Sequence, residues 1–231
     1  MSETQSPFVV TIDGPAGAGK STTARLLAHT LGFVFLDTGA IYRTVALVAR
    51  QRGVSWDDAE SLGRLAAALE LRFENNRAAE EYGTRIIADG LDVTNEIRSP
   101  EISQGASRVS AHGPVREALL GLQRRVAAGG AVVAEGRDTG TVVFPDARAK
   151  FYLNADARVR AERRAAELAS RGVHVSVDDT LADILERDAR DAGRAVAPLR
   201  RADDALEIDT GHQGPAEVVA RMVGVVRLRG G

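Results

Sequence analysis

The stretch Gly14-Pro15-Ala16-Gly17-Ala18-Gly19-Lys20-Ser21-Thr22 decides how this chain is organised. It follows an apolar, β-branched run at residues 8–12 and precedes a helical pattern that we expect at residues 23–31. A strand, a glycine-rich turn and a helix form the context in which the pattern G-x-x-x-x-G-K-[ST] binds phosphate. The glycines let consecutive N–H groups point at an anion, and the helix N-terminus adds its positive dipole. The stretch therefore predicts a phosphate-binding loop.

Two side chains of this loop carry specific chemistry. Lys20 is expected to reach the β- and γ-phosphates of a nucleoside triphosphate, and the hydroxyl of Ser21 to bind Mg²⁺. The chain has only two lysines, Lys20 and Lys150, against many arginines. A compact ammonium fits between phosphates where a planar guanidinium is too large, which favours a chemical reason for lysine at this position. The alternative, a glycine-rich turn without a ligand, does not explain why all the fixed positions agree.

Composition limits the other possibilities. The chain has 231 residues, 44% of them hydrophobic, which suffices for one sizeable α/β domain. It has no cysteine, so disulfides and thiolate metal sites are excluded, and its four histidines show no zinc-binding spacing. The net charge of −2 argues against general nucleic-acid binding. Without a long apolar run or a signal-peptide pattern, we expect a cytoplasmic protein that does not bind membranes.

Strand and helix patterns alternate along the chain, which predicts a doubly wound parallel sheet. Five strands are expected at residues 8–12, 33–36, 131–134, 149–153 and 205–208. Further helices are expected at residues 40–52, 57–69, from 99 onward, 114–128, 156–170, 178–191 and 215–226. Short antiparallel strands at residues 71–73, 84–88 and 91–93, with turns at 74–76 and 89–90, indicate an inserted lobe. The predicted fold class is thus α/β, a P-loop core of five parallel strands with an inserted lobe.

The phosphoryl acceptor has to be inferred from arginines elsewhere, because transfer between two polyanions needs cations beyond one lysine. Arg43 and Arg137 follow glycine-containing turns at strand ends, on the same edge as the loop, which favours a ligand role. Arg116 starts a helix, where a plain surface position is the commoner outcome. Glu135 ends a strand beside the loop strand and could reach Mg²⁺ through water, or could be a helix cap or an ion-pair partner.

A second arginine series lies on and just after the helix predicted at residues 178–191. Arg187, Arg190 and Arg194 follow an i, i+3, i+7 spacing with Asp188 and Asp191 between them. The series could bind phosphate, or it could be a solvated face with intrahelical ion pairs. Spacing alone leaves both readings open.

Four longer runs carry a resemblance: residues 12–22, 36–43, 136–146 and 194–199. In this order they resemble the bacterial cytidylate kinases, and the resemblance covers residues 9–226. It implies one domain, in which residues 8–37, 113–170 and 197–228 form the core. Residues 38–112 form the lobe that binds the nucleoside monophosphate, and residues 171–196 form a short lid. It also implies that ATP, with Mg²⁺, phosphorylates CMP and dCMP.

The resemblance also implies roles for individual residues. It places Arg43 and Arg137 around the acceptor 5′-phosphate and Thr38 among the substrate-binding residues. The cytosine is read by Ser107, Arg116 and Asp138, and the sugar is held by Arg187 and Asp191. The catalytic cations are Lys20, Arg137, Arg187 and Arg194. Two positions depart from the family pattern, since Thr38 stands where many members have Ser and Glu135 where many have Asp, but each keeps the hydroxyl or carboxylate.

The base-reading residues suit cytosine on chemical grounds as well. The carboxylate of Asp138 can accept from the N4 amino group, while Arg116 and Ser107 can donate to N3 or O2. Uracil presents a carbonyl where cytosine has the amine, and that carbonyl would meet Asp138 with repulsion. These residues distinguish the reading from a kinase acting on UMP or on a metabolite such as shikimate.

A further alternative is a P-loop switch protein whose nucleotide state controls a partner. Such a protein needs a hydrolytic site and a long-lived triphosphate complex. We expect instead a monomeric enzyme whose partners are the nucleotides ATP, CMP and dCMP.

Overall fold

The structure is a computed structural model that describes residues 7–76 and 83–231. Its strands are β1 (Val9–Asp13), β2 (Val34–Asp37), β3 (Leu71–Asn76), β4 (Gly83–Ala88), β5 (Leu91–Asp92), β6 (Val132–Gly136), β7 (Ala149–Asn154) and β8 (Leu206–Asp209). The main sheet has the order β2-β6-β1-β7-β8 with every pair parallel. The predicted α/β fold with a five-stranded parallel sheet is confirmed.

Helices cover both faces of this sheet. They are α1 (Lys20–Leu31), α2 (Thr38–Gln51), α3 (Ala59–Ala68), α4 (Pro100–Val109), α5 (Gly113–Ala128), α6 (Ala157–Ser170), α7 (Val177–Ala192) and α8 (Pro215–Leu228). The first helix begins at Lys20 rather than at residue 23, because Gly19 takes a left-handed conformation (φ 81°) and caps it. Helix α2 begins where the Asp37 carboxylate accepts from the N–H of Ala40 at 2.8 Å.

Alternating side chains of the strands face two separate apolar clusters. Val9 of β1 and Val132 of β6 belong to the cluster beneath α2, α3 and α5, whereas Val10 and Val133 belong to the one beneath α1 and α8. This two-residue period explains why the strands read as continuous apolar runs, since both faces of the sheet are buried.

The inserted antiparallel sheet is present, with the order β3-β4-β5. The prediction of a turn at residues 74–76 is wrong, because these residues extend β3 and pair with residues 83–85 of β4. The guanidinium of Arg85 lies 2.9 Å from the carboxylates of both Glu74 and Asp92, so opposite charges on adjacent strands favour the longer ladder. The turn at residues 89–90 is confirmed. The connection at residues 77–82 lies outside the described residues.

The carboxyl edge of the main sheet gathers the strand ends that carry polar residues. Asp13 ends β1 opposite Gly136 of β6, and Asp37 ends β2 opposite Glu135. A π-helical turn at Thr139–Val143 follows β6 and was not predicted. Within the described part of the chain, no helix is long and apolar enough to cross a membrane.

Candidate active site

The glycine-rich loop connects β1 to α1 and packs tightly on its neighbours. Gly14 has φ +149°, and a Cβ atom there would lie 2.0 Å from the carbonyl oxygen of Leu153 on β7. Only glycine allows this close approach, which lets the loop fold back over the sheet edge. Lys20, in the first turn of α1, is buried, and its Nζ donates to the carbonyl oxygen of Pro15 at 2.6 Å.

The surroundings of Lys20 disfavour its charged form. Burial and the nearby charge of Arg137 lower the pKa of Lys20 well below its ordinary value, although Glu135 acts in the opposite direction. A polyanion placed in the loop would reverse this effect. The site is therefore better suited to a lysine with phosphate than to a lysine alone.

Three carboxylates lie at the strand ends beside the loop, and two of them are already bonded. Asp13 accepts from the backbone N–H groups of Thr139 (2.9 Å) and Gly140 (2.7 Å), which fixes the segment after β6 against β1. Asp37 pairs with Arg43 at 2.7 Å. Burial raises the pKa of Asp13. For Asp37, burial is outweighed by Arg43 and the Ala40 N–H, so its pKa is lowered.

Of these three carboxylates, Glu135 is the one with an oxygen atom that accepts no hydrogen bond from the described residues. It is buried, and within residues 7–76 and 83–231 its Oε1 atom has no hydrogen-bond partner. Burial and the charge of Asp37 raise its pKa, while Lys20 and the adjacent Ser21 hydroxyl lower it. An orphaned carboxylate oxygen beside a loop serine fits the oxygen donor set that a hard divalent cation requires.

Three guanidinium groups face the same region with donors unused. Among the residues described, the buried nitrogens Nε of Arg43, Nε of Arg187 and Nη2 of Arg194 lack a hydrogen-bond partner. Burial and the charge of Arg137 lower the pKa of Arg187 to about 9. A guanidinium nevertheless stays protonated at neutral pH, so the lowered pKa indicates that a bound anion would stabilise the charge on Arg187. Arg194 is buried, and Arg187 is half-buried with its Nε shielded from solvent, so neither side chain lies on a fully solvated face.

Asp191 on α7 links these arginines to the rest of the site. Its Oδ2 accepts from Nε of Arg137 at 2.9 Å, and its Oδ1 accepts from the hydroxyl of Ser107 on α4 at 3.3 Å. Burial raises its pKa, but Arg137, Arg187 and Arg194 outweigh burial, so the pKa of Asp191 is lowered. The backbone oxygen of Asp191 also accepts from Nε of Arg194 at 3.2 Å. Helix α7 is thereby joined to β6 and α4.

Arg116 and Asp138 form a buried ion pair a short distance away. Arg116 is only 7% exposed and Asp138 only 4%, so the surface alternative for Arg116 is wrong. The Arg116 guanidinium also donates to the carbonyl oxygen of Ser110 at 3.1 Å and lies 5.3 Å from the ring centroid of Tyr42. Burial opposes the charge on Arg116, but Tyr42 and Asp138 favour it more strongly and raise its pKa.

This pair lines a mostly apolar cavity of about 330 Å³. Its walls are formed by Tyr42, Gly113, Arg116, Glu117, Leu120, Gln123, Asp138, Val142, Val143 and Val196. Apolar walls with a few charged and polar groups, here Arg116, Asp138, Glu117 and Gln123, suit a flat heterocycle whose edge bears hydrogen-bonding groups.

The structure brings most of the predicted site residues to this one edge of the sheet. Thr38 is buried there, and its hydroxyl donates to the carbonyl oxygen of Glu135 at 2.7 Å. Arg190 is half-buried: it pairs with Glu186 on its own helix and also donates to Oε1 of Gln104 on α4 at 3.5 Å. Thr22, at the end of the loop, is exposed.

Sequence reasoning missed several residues that shape the site. Asp13 and Asp37 could have been noticed, because each directly precedes a predicted loop or helix at a strand end. Arg160 and Asp188 gave no signal, since each lies within a highly charged helix. In the structure both contact the glycine-rich loop at Ala16.

The family model and the most similar curated sequences indicate the same family. The family model for cytidylate kinase matches residues 10–228. The cytidylate kinase of Geobacter sulfurreducens is 50% identical over 222 residues, covering 96% of this chain and 94% of that protein. That of Syntrophotalea carbinolica is 49% identical, covering 96% and 93%. A solved gluconokinase from Sinorhizobium meliloti 1021 is more distant, with 18% identity and a TM-score of 0.45 over 97% of this chain and 94% of that one.

The match therefore extends over nearly the whole chain, and about half of the aligned residues are identical to those of curated cytidylate kinases. On this basis the chain belongs to the cytidylate kinase family, enzymes of nucleotide metabolism that transfer phosphate.

Proposed function

We propose that this protein transfers the γ-phosphoryl group of ATP to CMP and to dCMP, forming ADP and the corresponding diphosphates. The observation that carries the proposal is the set of unpartnered guanidinium nitrogens, on Arg43, Arg187 and Arg194, among the described residues beside the loop. A buried donor left without an acceptor costs about 1–3 kcal/mol. Two phosphate-bearing substrates would supply the missing acceptors, so the free protein tolerates a cost that substrate binding removes.

The donor nucleotide is proposed to lie in the loop formed by residues 14–22. Its backbone N–H groups and the N-terminus of α1 cradle the phosphates, and Lys20 exchanges the Pro15 carbonyl for phosphate oxygens. Ser21 and Glu135, the latter through water, are proposed to hold Mg²⁺, which would shield charge on the β- and γ-phosphates. The orphaned Oε1 of Glu135 supports this placement.

The acceptor is proposed to lie across the carboxyl edge toward α4 and α5. Arg43 and Arg137, with the Thr38 hydroxyl nearby, bind its 5′-phosphate, and Arg187 and Asp191 hold its sugar. The cavity next to the buried pair receives the base, which Ser107, Arg116 and Asp138 read. Asp191 engages only Nε of Arg137, at 2.9 Å, so the Arg137 guanidinium can bind phosphate through its other nitrogens while Asp191, on α7, orients it.

The chemistry is proposed to be in-line transfer without a covalent enzyme intermediate. Lys20, Arg137, Arg187 and Arg194 neutralise the charge that moves between the two substrates. No described side chain needs to act as a general base, because the attacking phosphate oxygen of the acceptor is already anionic. Catalysis then rests on positioning and on a preorganised positive field.

The division of the chain into parts is proposed from the same argument. Residues 8–37, 113–170 and 197–228 form the core, residues 38–112 the acceptor lobe and residues 171–196 the lid. Closing the lid would exclude water and suppress hydrolysis of ATP. We further propose a cytoplasmic monomer. We also propose that it binds no nucleic acid, which the net charge of −2 supports.

The test is release of ADP, measured with a coupled assay against CMP, dCMP, UMP, AMP, GMP and shikimate. We expect rapid turnover with CMP and dCMP alone. Preference for UMP or shikimate would favour another small-molecule kinase. Slow ADP release that does not depend on any acceptor, from a long-lived ATP complex, would favour a switch protein.

A further inference from the structure

The backbone of Ala16, in the glycine-rich loop, is hydrogen-bonded through its N–H and its C=O to side chains of two other helices. Its N–H donates to Oδ1 of Asp188 on α7 at 3.2 Å, and its carbonyl oxygen accepts from Nη1 of Arg160 on α6 at 2.9 Å. The same Nη1 lies 2.5 Å from Oδ2 of Asp188. Three hydrogen bonds thus close a ring that joins the loop, α6 and α7.

The ring is sheltered from solvent, unlike most ion pairs of this chain. The side chain of Arg160 is 7% exposed and that of Asp188 is 19% exposed. Nε of Arg160 also donates to the carbonyl oxygen of Ala155 at 2.9 Å, and this bond, which does not involve Asp188, helps to orient the guanidinium. A hydrogen-bonded pair with this little exposure is far less weakened by water than a surface pair.

Asp188 is an unexpected partner for a phosphate-binding loop. Its carboxylate uses one N–H donor of the loop and brings negative charge toward a place that is to receive a polyanion. Arg160 neutralises that charge, so the contact can persist while phosphate is bound. The carboxylate is therefore suited to holding α7 at a fixed position relative to the loop, and not to contacting substrate.

We infer that Asp188, backed by Arg160, is a positioning residue that holds α7 against the glycine-rich loop and so sets the distance between Arg187, on α7, and the transferring phosphate. The inference rests on the proposed function. Asp188 directly follows Arg187 in the chain, and Asp191 lies one helical turn further on the same face. A shift of α7 at Asp188 therefore displaces both the catalytic cation and the carboxylate that holds Arg137.

If Asp188 positions α7, substitutions at Asp188 should lower kcat for CMP much more than they change KM for CMP. Asp188→Asn keeps the size of the side chain and an acceptor for Ala16 but removes the charge that Arg160 neutralises. We expect kcat for CMP to fall about 10-fold in Asp188→Asn and about 100-fold in Asp188→Ala, with KM for CMP within about 3-fold of the wild type. Because a loose lid admits water, ADP formed per CDP should rise above one in both variants.

The experiment measures ADP and CDP in the same reactions, together with the melting temperature of each protein. Asp183→Asn is the matched control, since Asp183 lies exposed on the same helix and the charge change is identical. Arg160→Gln, alone and combined with Asp188→Asn, tests the pairing, and the losses in kcat should be clearly less than additive.

Two results would overturn the inference. One is a kcat and an ADP:CDP ratio in Asp188→Asn equal to those of Asp183→Asn. The other is a fall in kcat that follows the melting temperature while the ADP:CDP ratio stays at one, which is the behaviour of a plain structural pair. Failure of the proposed function looks different, because the wild-type protein itself would then form no CDP.

Discussion

Replacing Asp138 by Asn tests the base-reading assignment most directly, because the two side chains have the same shape. Oδ2 of Asp138 is bonded to Arg116, which leaves Oδ1 as the atom that can accept from the amino group of cytosine. Asn keeps an oxygen there or, turned over, presents an NH₂ group. The substitution therefore removes charge and can reverse hydrogen-bond polarity without opening a cavity.

The size of the effect follows from the contacts. Loss of one charge-assisted hydrogen bond is worth about 1.5–3 kcal/mol. At about 1.4 kcal/mol per tenfold, kcat/KM for CMP should fall by about 10- to 150-fold. UMP should be used no worse, and better if the amide donates to its carbonyl, so the CMP:UMP preference should shrink by at least the same factor.

The same change weakens a buried ion pair, which has to be separated from base choice. Removing one partner of such a pair costs up to about 3–5 kcal/mol, and for a chain of this length each kcal/mol lowers the melting temperature by about 2–4 °C. The assay therefore measures kcat/KM on CMP and UMP well below the melting temperature. Asp146→Asn, an exposed acid in the loop after the same strand, serves as the control.

The preference ratio decides the matter, since loss of folded protein lowers both activities equally. An unchanged CMP:UMP ratio in Asp138→Asn, with the protein folded, would refute the assignment of Asp138 to base recognition.

Further predictions address the loop and the lid. Lys20→Met should fold normally and lose most activity at saturating ATP, and activity within a few-fold of wild type would remove Lys20 from catalysis. Because ATP raises a Lys20 pKa that burial and Arg137 hold low in the free protein, binding should take up a proton. ATP affinity should then fall as pH rises through the free-protein pKa, and a titration of Lys20→Met should lack that slope. Arg194→Ala should lower kcat far more than it raises KM for CMP, whereas a change in KM alone would make Arg194 a ground-state binder. Gly14→Ala should abolish ATP binding, because its Cβ would lie 2.0 Å from a backbone oxygen of β7, while Gly32→Ala, with open space around it, should retain binding and report only the strain of its positive φ.

Local patterns were sufficient for the order of elements. Continuous β-branched runs, glycines and cap residues act over a few neighbours, so the five parallel strands and most helix positions could be predicted from short windows. The errors fell where pairing or backbone geometry overrode local preference. Polar residues 74–76 read as a turn, yet cross-strand charge extends β3 through them. The π-helical turn at Thr139–Val143 is held at its start by Asp13, distant in sequence, which accepts from the N–H groups of Thr139 and Gly140.

In the candidate site too, some features could be predicted from the sequence and others only from the tertiary structure. The glycine-rich stretch by itself determined a phosphate loop, since nine consecutive residues contain the chemistry, and the resemblance supplied residues that the structure gathers at one sheet edge. Residue spacing left Arg116, Arg187 and Arg194 undecided between ligand and surface. The structure shows that Arg116 and Arg194 are buried and Arg187 is half-buried, whereas their binding of a ligand stays a prediction. Spacing cannot give burial, because exposure depends on which other elements pack against a side chain, and that is a property of the whole fold. The Asp188–Arg160 ring and the orphaned oxygen of Glu135 were likewise out of reach, because both arise from groups distant in sequence that meet only when the sheet, α6 and α7 assemble.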